Sequence, residues 1–291
     1  MMGLVRAFVV GMLGVILGGS IAPPLHAQWV EPPGTGWAEL RLSHHQTQDR
    51  FNRKGEVEPY FNKDAQSTTQ SATLTGALGL WQGLDTWLKV PFHRLQFDDV
   101  VRERTSTGLG DPRFFVRVGP NLFGIGDLAT AVALRGGVKV PVGDFENDVE
   151  VVPLSEGQRD WEVLLEIGKS LHPWPVYVMG WVGYRWRETN PTTGLKPGNE
   201  RLVYVTAGGS VQPFRWKVAV DGVFGRPTQL SGATLSQDSR RELLQVIPTV
   251  GWRLGPGTLE VGAEVPLHGR NLPAGPTFTL DYFVTWNEAL W

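Results

Sequence analysis

The sequence predicts an all-β protein: a transmembrane up-and-down antiparallel β-barrel of about twelve strands, with long extracellular loops and short periplasmic turns. Three observations carry this. Past residue 27 the chain falls into segments whose side chains alternate in character with period two, the strand signature. The connections between those segments alternate between long and short. One face of the segments holds the charges, and the opposite face is almost entirely apolar.

Residues 1–27 read as a secretory signal: Arg6 supplies the basic start, Ala7 to Ile21 the apolar run, and Leu25-His26-Ala27 a small-residue cleavage site before Gln28. The apolar run falls short of the ~20 residues that span a bilayer, and Pro23-Pro24 follows it. Residues 28–35 are expected to form a periplasmic N-terminal lead, 36–286 the outer-membrane barrel, and 287–291 a C-terminal tail.

Twelve strand segments follow, at 36–48, 66–80, 85–97, 111–119, 128–142, 160–171, 175–187, 200–211, 214–225, 241–254, 257–267 and 276–286. The clearest is 128–142, where Val132, Leu134 and Val138 share one face and Arg135 and Lys139 the other. In 200–211 neither Val203/Val205 nor Leu202/Tyr204 is the obvious apolar face. In 85–97 Leu88, Val90 and Phe92 share a face that Leu95 and Phe97 leave, which predicts a β-bulge near His93-Arg94. The long connections are 49–65, 98–110, 143–159, 188–199, 226–240 and 268–275; the short ones include Trp81–Leu84, Gln212-Pro213 and Gly255-Pro256. A sandwich with Greek-key connections has no reason to alternate in this way.

The charged face carries 11 basic positions, Arg41, Lys89, Arg113, Arg117, Arg135, Lys139, Arg185, Arg187, Arg215, Lys217 and Arg253. It also carries 7 acidic ones, Glu39, Glu162, Glu166, Asp221, Glu260, Glu264 and Asp281, which leaves a surplus of +4. These are expected to face the lumen, because an arginine facing lipid costs ~2–4 kcal/mol at the bilayer midplane. Lys169 is the one exception found on the apolar face. Trp37, Trp81, Trp174, Trp216, Trp252 and Trp286 fall at the periplasmic strand ends, and Trp161 and Trp186 at the other, as interfacial girdles would. The last strand, Phe278-x-Leu280-x-Tyr282-x-Val284-x-Trp286, resembles the C-terminal signal read by the barrel-assembly machinery, although the tail Asn287–Trp291 follows it.

Composition narrows the function. A net charge of −2 with 19% charged residues is not that of a nucleic-acid binder, and the lack of cysteine removes thiol catalysis, disulfides and iron–sulfur sites. Among the mature histidines, His45 and His268 are the pair expected near the extracellular rim, but no serine-nucleophile motif accompanies them. Asp144, Glu146, Asp148 and Glu150 form an acidic loop that lacks the EF-hand glycine, Val149 standing in its place. Gly108-Leu109-Gly110 has no helix after it to receive a phosphate. No catalytic residue, cofactor or metal is therefore expected. The expected partners are outer-membrane lipids, the assembly machinery and a small-molecule solute.

Four short motifs resemble the outer-membrane family described as the MetA-pathway of phenol degradation. They are Gly108-Leu109-Gly110-Asp111, Lys139-Val140-Pro141-Val142-Gly143, Glu156-Gly157-Gln158-x-Asp160 and Gly183-Tyr184-Arg185-x-Arg187, with looser similarity running to the C-terminus. The resemblance implies a barrel linked to uptake of aromatic compounds and carries no catalytic residues. The expected function is passage or binding of a small solute, aromatic or anionic, through a charged lumen in the outer membrane of a Gram-negative-type bacterium. The alternatives are a surface enzyme acting on envelope lipid and a structural envelope protein with a filled barrel. Arg135 and Arg185 are expected to set ion selectivity.

Overall fold

Strands that are apolar on one face and polar on the other leave no free edge in lipid only if their sheet closes on itself. The computed structural model, which describes residues 30–125, 130–142 and 151–287 apart from the side chains of 62 and 63, is such a closed sheet. Its strands are β1 (Gly36–Thr47), β2 (Gln66–Trp81), β3 (Leu84–Asp98), β4 (Glu103–Leu109), β5 (Arg113–Val118), β6 (Ala131–Lys139) and β7 (Asp160–Ser170). They continue as β8 (Val176–Arg187), β9 (Glu200–Val211), β10 (Phe214–Gly225), β11 (Glu242–Leu254), β12 (Gly257–Arg270) and β13 (Thr277–Trp286).

The wall strands pair antiparallel in chain order, and β13 returns to β1 from Gly36↔Trp286 to His45↔Thr277. β4 and β5 share one place in the wall. β4 lies along Phe92–Asp98 of β3 and β5 along Leu84–Lys89, so twelve places close the barrel. The break between them faces Pro91, which has no N–H to donate, while Gly110 donates its own N–H to the Pro91 carbonyl at 3.0 Å.

All twelve predicted segments are strands, the ambiguous 200–211 included: Leu202 and Thr206 are buried there while Arg201 and Val205 are exposed. Three expectations are corrected. The bulge near His93-Arg94 is absent, because β3 keeps its register against β2 from Gln66↔Asp98 down to Gly79↔Asp85. Leu95 and Phe97 stay on the inner side, and Phe97 is covered there by the Tyr60 ring at 5.6 Å and the Arg104 guanidinium at 5.0 Å. The long loop at 98–110 is mostly strand: β4 continues the β3 hairpin, and Asp99 donates its N–H to Arg102 across the turn. Lys169 is not the lone outward charge, since Arg94 and Arg201 are also exposed on outward positions near the extracellular end. There the cost of an arginine falls to ~0–1 kcal/mol.

Leu74, Leu134, Leu165, Ile167, Val182, Val261, Phe278 and Leu280 are all exposed on the outer side of the wall. Such a surface would be costly in water and belongs against hydrocarbon. At the extracellular end the loops brace one another. Asp49–Phe51, Val57–Pro59 and Leu272–Pro273 make one small sheet, and Leu195–Lys196, Gln229–Leu230 and Ala233–Thr234 another. The signal sequence expected at 1–27, the acidic run Asp144 to Glu150 and the last four residues lie outside the described residues.

Candidate functional site

Inward side chains of a barrel can meet partners two strands away, because the concave side brings non-neighbouring strands together. From β3 to β9 they do so as a packed ion-pair network. Arg117 is held by Asp85 at 2.5 Å and Glu166 at 3.5 Å, and Arg135 meets the other Glu166 oxygen at 2.8 Å. Glu162 joins Arg113 to Arg185, the latter at 2.9 Å, and Glu200 joins Arg185 to Arg187. Asp160 takes Lys139 at 3.0 Å and Arg187 at 3.4 Å, and Glu156 reaches both cations from the loop above, Lys139 at 2.6 Å. Burial alone would push the Glu156 carboxyl up, but the facing Arg187 and Lys139 hold it well below the usual carboxylate range. Aromatic rings fill the remaining space. Arg135 lies 4.7 Å from the Trp87 ring, 5.1 Å from Phe115 and 5.4 Å from Trp181, and Trp181 stacks on Tyr204 at 3.8 Å.

The other half of the wall, β10 to β13 with β1 and β2, carries small inward residues such as Ala219, Thr249, Gly251, Thr279 and Thr75. A side chain at Gly262 would press on the Thr249 and Thr279 hydroxyls at 3.0 Å. Two ion-pair groups stand among these residues: Arg41 with Asp281 at 2.8 Å and Glu264 at 3.5 Å, and Lys217 with Glu260 at 3.0 Å. Arg41, Glu264, Lys217 and Glu260 keep 19–32% of their side-chain surface accessible, whereas Arg117, Arg135, Glu162, Glu166 and Lys139 keep 3–9%. A cavity of about 220 Å³ lies against this half near its periplasmic end, bounded by Tyr177, Lys217, Thr249, Glu260 and Phe283.

The sequence-predicted residues divide accordingly. Arg113, Arg117, Arg135, Lys139, Glu162, Glu166, Arg185 and Arg187 come together in the packed network; Lys217, Glu260, Glu264 and Asp281 belong to the second half. Asp221 accepts a hydrogen bond from Gln245 at 3.2 Å. Arg215 borders the cavity, and Arg253 is exposed two residues before the Gly255 turn; neither has an ion pair among the described residues. Arg135 and Arg185 are thus held by carboxylates.

Sequence reasoning missed Asp85, Asp160 and Glu200, which are 0–2% exposed within the network. Asp85 shares the parity of Lys89, and Asp160 that of Glu162, so period two applied to the strand ends would have found these two; Glu200 heads the segment whose faces the sequence leaves ambiguous. Counting them turns 11 basic and 7 acidic positions into 11 and 10, and the surplus of +4 becomes +1. Trp37 also moves. It is not an interfacial residue but packs inward, edge-on to Trp87 at 4.8 Å and beside Phe283 at 5.4 Å.

Residues 30–35 fold onto the periplasmic rim, where the Glu31 N–H donates to the Asp85 carboxylate at 2.8 Å. Burial pushes the Glu31 carboxyl up, nearby Arg117 opposes this, and Asp85 adds to it. His45 and His268 are not brought into contact: His268 lies 3.5 Å from Glu242, and His45 borders Gly275. Among the described residues a serine–histidine contact lies elsewhere, between Ser71 Oγ and His93 Nδ1 at 2.7 Å.

The family model described as "Putative MetA-pathway of phenol degradation" matches residues 46–282. No curated protein sequence matches. An outer membrane channel from Pseudomonas putida F1 superposes with a TM-score of 0.74 at 15% identity, over 92% of this chain and 100% of that one. OmpT, an outer membrane protein of Vibrio cholerae, superposes with a TM-score of 0.42 at 10% identity, over 91% of this chain and 100% of that one. The first likeness is one of fold; the second is too distant to add to it.

Proposed function

The chain belongs to the family described as "Putative MetA-pathway of phenol degradation", and from that premise we propose that it is a passive outer-membrane channel for a small aromatic or anionic solute. The observation that carries this reading is the division of the lumen wall. Half is filled by paired charges and rings, while the other half holds small residues, water-accessible charges and the cavity beside Lys217 and Glu260. A solute path needs hydroxyls and accessible charges to replace hydration, and that half supplies both.

The fill of the β3 to β9 half favours low conductance and passage of single small molecules. It also gives the structural alternative its best support, since a barrel filled throughout would pass nothing. Purified protein in a planar bilayer separates the two. The channel reading expects small, discrete conductance steps and faster entry of benzoate into proteoliposomes than into empty vesicles. A silent bilayer with unchanged benzoate entry would leave the structural reading.

Among the described residues, a serine hydrolase would find its serine–histidine contact at Ser71 and His93. Among the described residues, no carboxylate is hydrogen-bonded to the His93 ring to orient it as a general base, which weighs toward transport. We further propose that the barrel-assembly machinery receives the chain through β13, whose outward face is Phe278, Leu280, Tyr282, Val284 and Trp286.

A further inference from the structure

Three inward cations act on one another, each the sixth residue counted from the periplasmic end of its strand: Arg41 on β1, Lys89 on β3 and Arg113 on β5. Arg41 is held by Asp281 and Arg113 by Glu162. Lys89 differs. Among the described residues its ammonium makes no ion pair or hydrogen bond, and its side chain is exposed although it points inward. It stands directly opposite Arg113 in the strand register, with Thr75 opposite it on the other side. Its other charged neighbours are Arg41, Glu39 and Glu264.

Like charges directly opposite each other in an antiparallel pair are unfavourable. The carboxylates within reach are already engaged, Glu162 between Arg113 and Arg185, and Glu264 and Glu39 at Arg41. A mobile anion satisfies such an arrangement. Lys89 stands where the packed network meets the accessible half, between Arg113 on β5 and Thr75 on β2, and its exposed ammonium is within reach of a passing solute.

We propose that Lys89, backed by Arg113 and Arg41, forms a mid-lumen subsite for a monovalent organic carboxylate. The proposal rests on the channel reading and narrows its solute class to a small organic acid. Arg215 and Arg253, near the periplasmic turns, then draw the same anions toward that end by long-range attraction.

The test uses the full-length protein in a planar bilayer carrying chloride current, with benzoate and its neutral counterpart benzyl alcohol as probes. Benzoate is expected to reduce the wild-type current and benzyl alcohol to leave it unchanged. Lys89→Gln should raise the half-inhibiting benzoate concentration by about tenfold, the loss that accompanies one charge-assisted hydrogen bond. Lys89→Arg should retain wild-type sensitivity. Because Lys89→Gln removes a like-charge contact, the thermal midpoint of its folded gel band should equal or exceed that of wild type. Unchanged benzoate sensitivity in Lys89→Gln, equal inhibition by benzyl alcohol, or a lowered midpoint would overturn the subsite while leaving the channel standing. A wild-type protein that carries no current would instead remove the channel, and the subsite with it.

Discussion

The two halves of the lumen wall are made of the same alternating strands, yet they treat charge in opposite ways. From β3 to β9 most inward charges are buried and shared, Lys89 and the partly accessible Arg113 apart, so that Glu162, Glu166, Asp160 and Glu200 each contact two cations. From β10 round to β2 the charges are fewer, keep water access apart from the buried Asp281, and stand among threonine, alanine and glycine. Buried ion pairs seldom add stability over an apolar core, but they are costly to break. The first half therefore reads as a rigid filling that fixes the shape of the second, and the second as the place where a solute can move.

The largest expected effect comes from breaking the filling. Glu166→Ala strips a carboxylate from both Arg117 and Arg135 and should destabilise the folded barrel by about 3–5 kcal/mol, measured by urea titration of the heat-modifiable band. Glu264→Ala, on the water-accessible half, should cost far less. Equal losses would erase the distinction between the halves.

The outer face should not register the difference. Val178→Arg on β8 and Val261→Arg on β12 lie over opposite halves, and both point to lipid. Each should impair assembly similarly, by about 2–4 kcal/mol if near the midplane. A large disparity would mean that one of these strands does not face hydrocarbon.

Added bulk sharpens the contrast. Ala133→Phe in the packed half should cost about 1–3 kcal/mol by overpacking and leave conductance unchanged. Ser210→Phe, at the edge of the cavity, should shift stability by no more than about 0.5 kcal/mol yet lower conductance.

The barrel was legible in the sequence because period two, connection length and charge placement are each set by local chemistry. Pro91 illustrates what was not. Its missing N–H interrupts the neighbouring strand, so the wall place after β3 is filled by two strands, a consequence visible only once the partner is known. Leu95 and Phe97 suggested a bulge because nothing local reveals that Tyr60, from a distant loop, covers the inner face there. The inward charges followed from parity. Their pairing did not, since it depends on which strands lie two apart across a closed curve. Asp85, Asp160 and Glu200 sit at or next to strand ends, where parity is least defined, and a tally without them inflates the expected positive lumen.

A smaller effect concerns pH. The Glu156 carboxyl is held low by Arg187 and Lys139, so its contribution to closing the loop over the packed half is fully present above its ordinary value of 4.5. That contribution is lost as pH falls below this value toward the lower folded one. Proteolysis of the 151–159 segment should therefore quicken on acidification in wild type, while Glu156→Gln should cleave at one rate across the same range. Identical profiles would show that Glu156 does not fasten the loop.

The central claim, that water and solute run along the β10 to β2 half, can be read directly because the chain has no cysteine. Single cysteines at Ser43 and Thr75 on that half, and at Ala133 and Thr206 on the packed half, should be treated with a membrane-impermeant anionic methanethiosulfonate during bilayer recording. Ser43→Cys and Thr75→Cys should react quickly, with a stepwise loss of current, while Ala133→Cys and Thr206→Cys stay unmodified on the same timescale. Equal rates at all four positions, or faster reaction at Ala133→Cys and Thr206→Cys, would contradict the account.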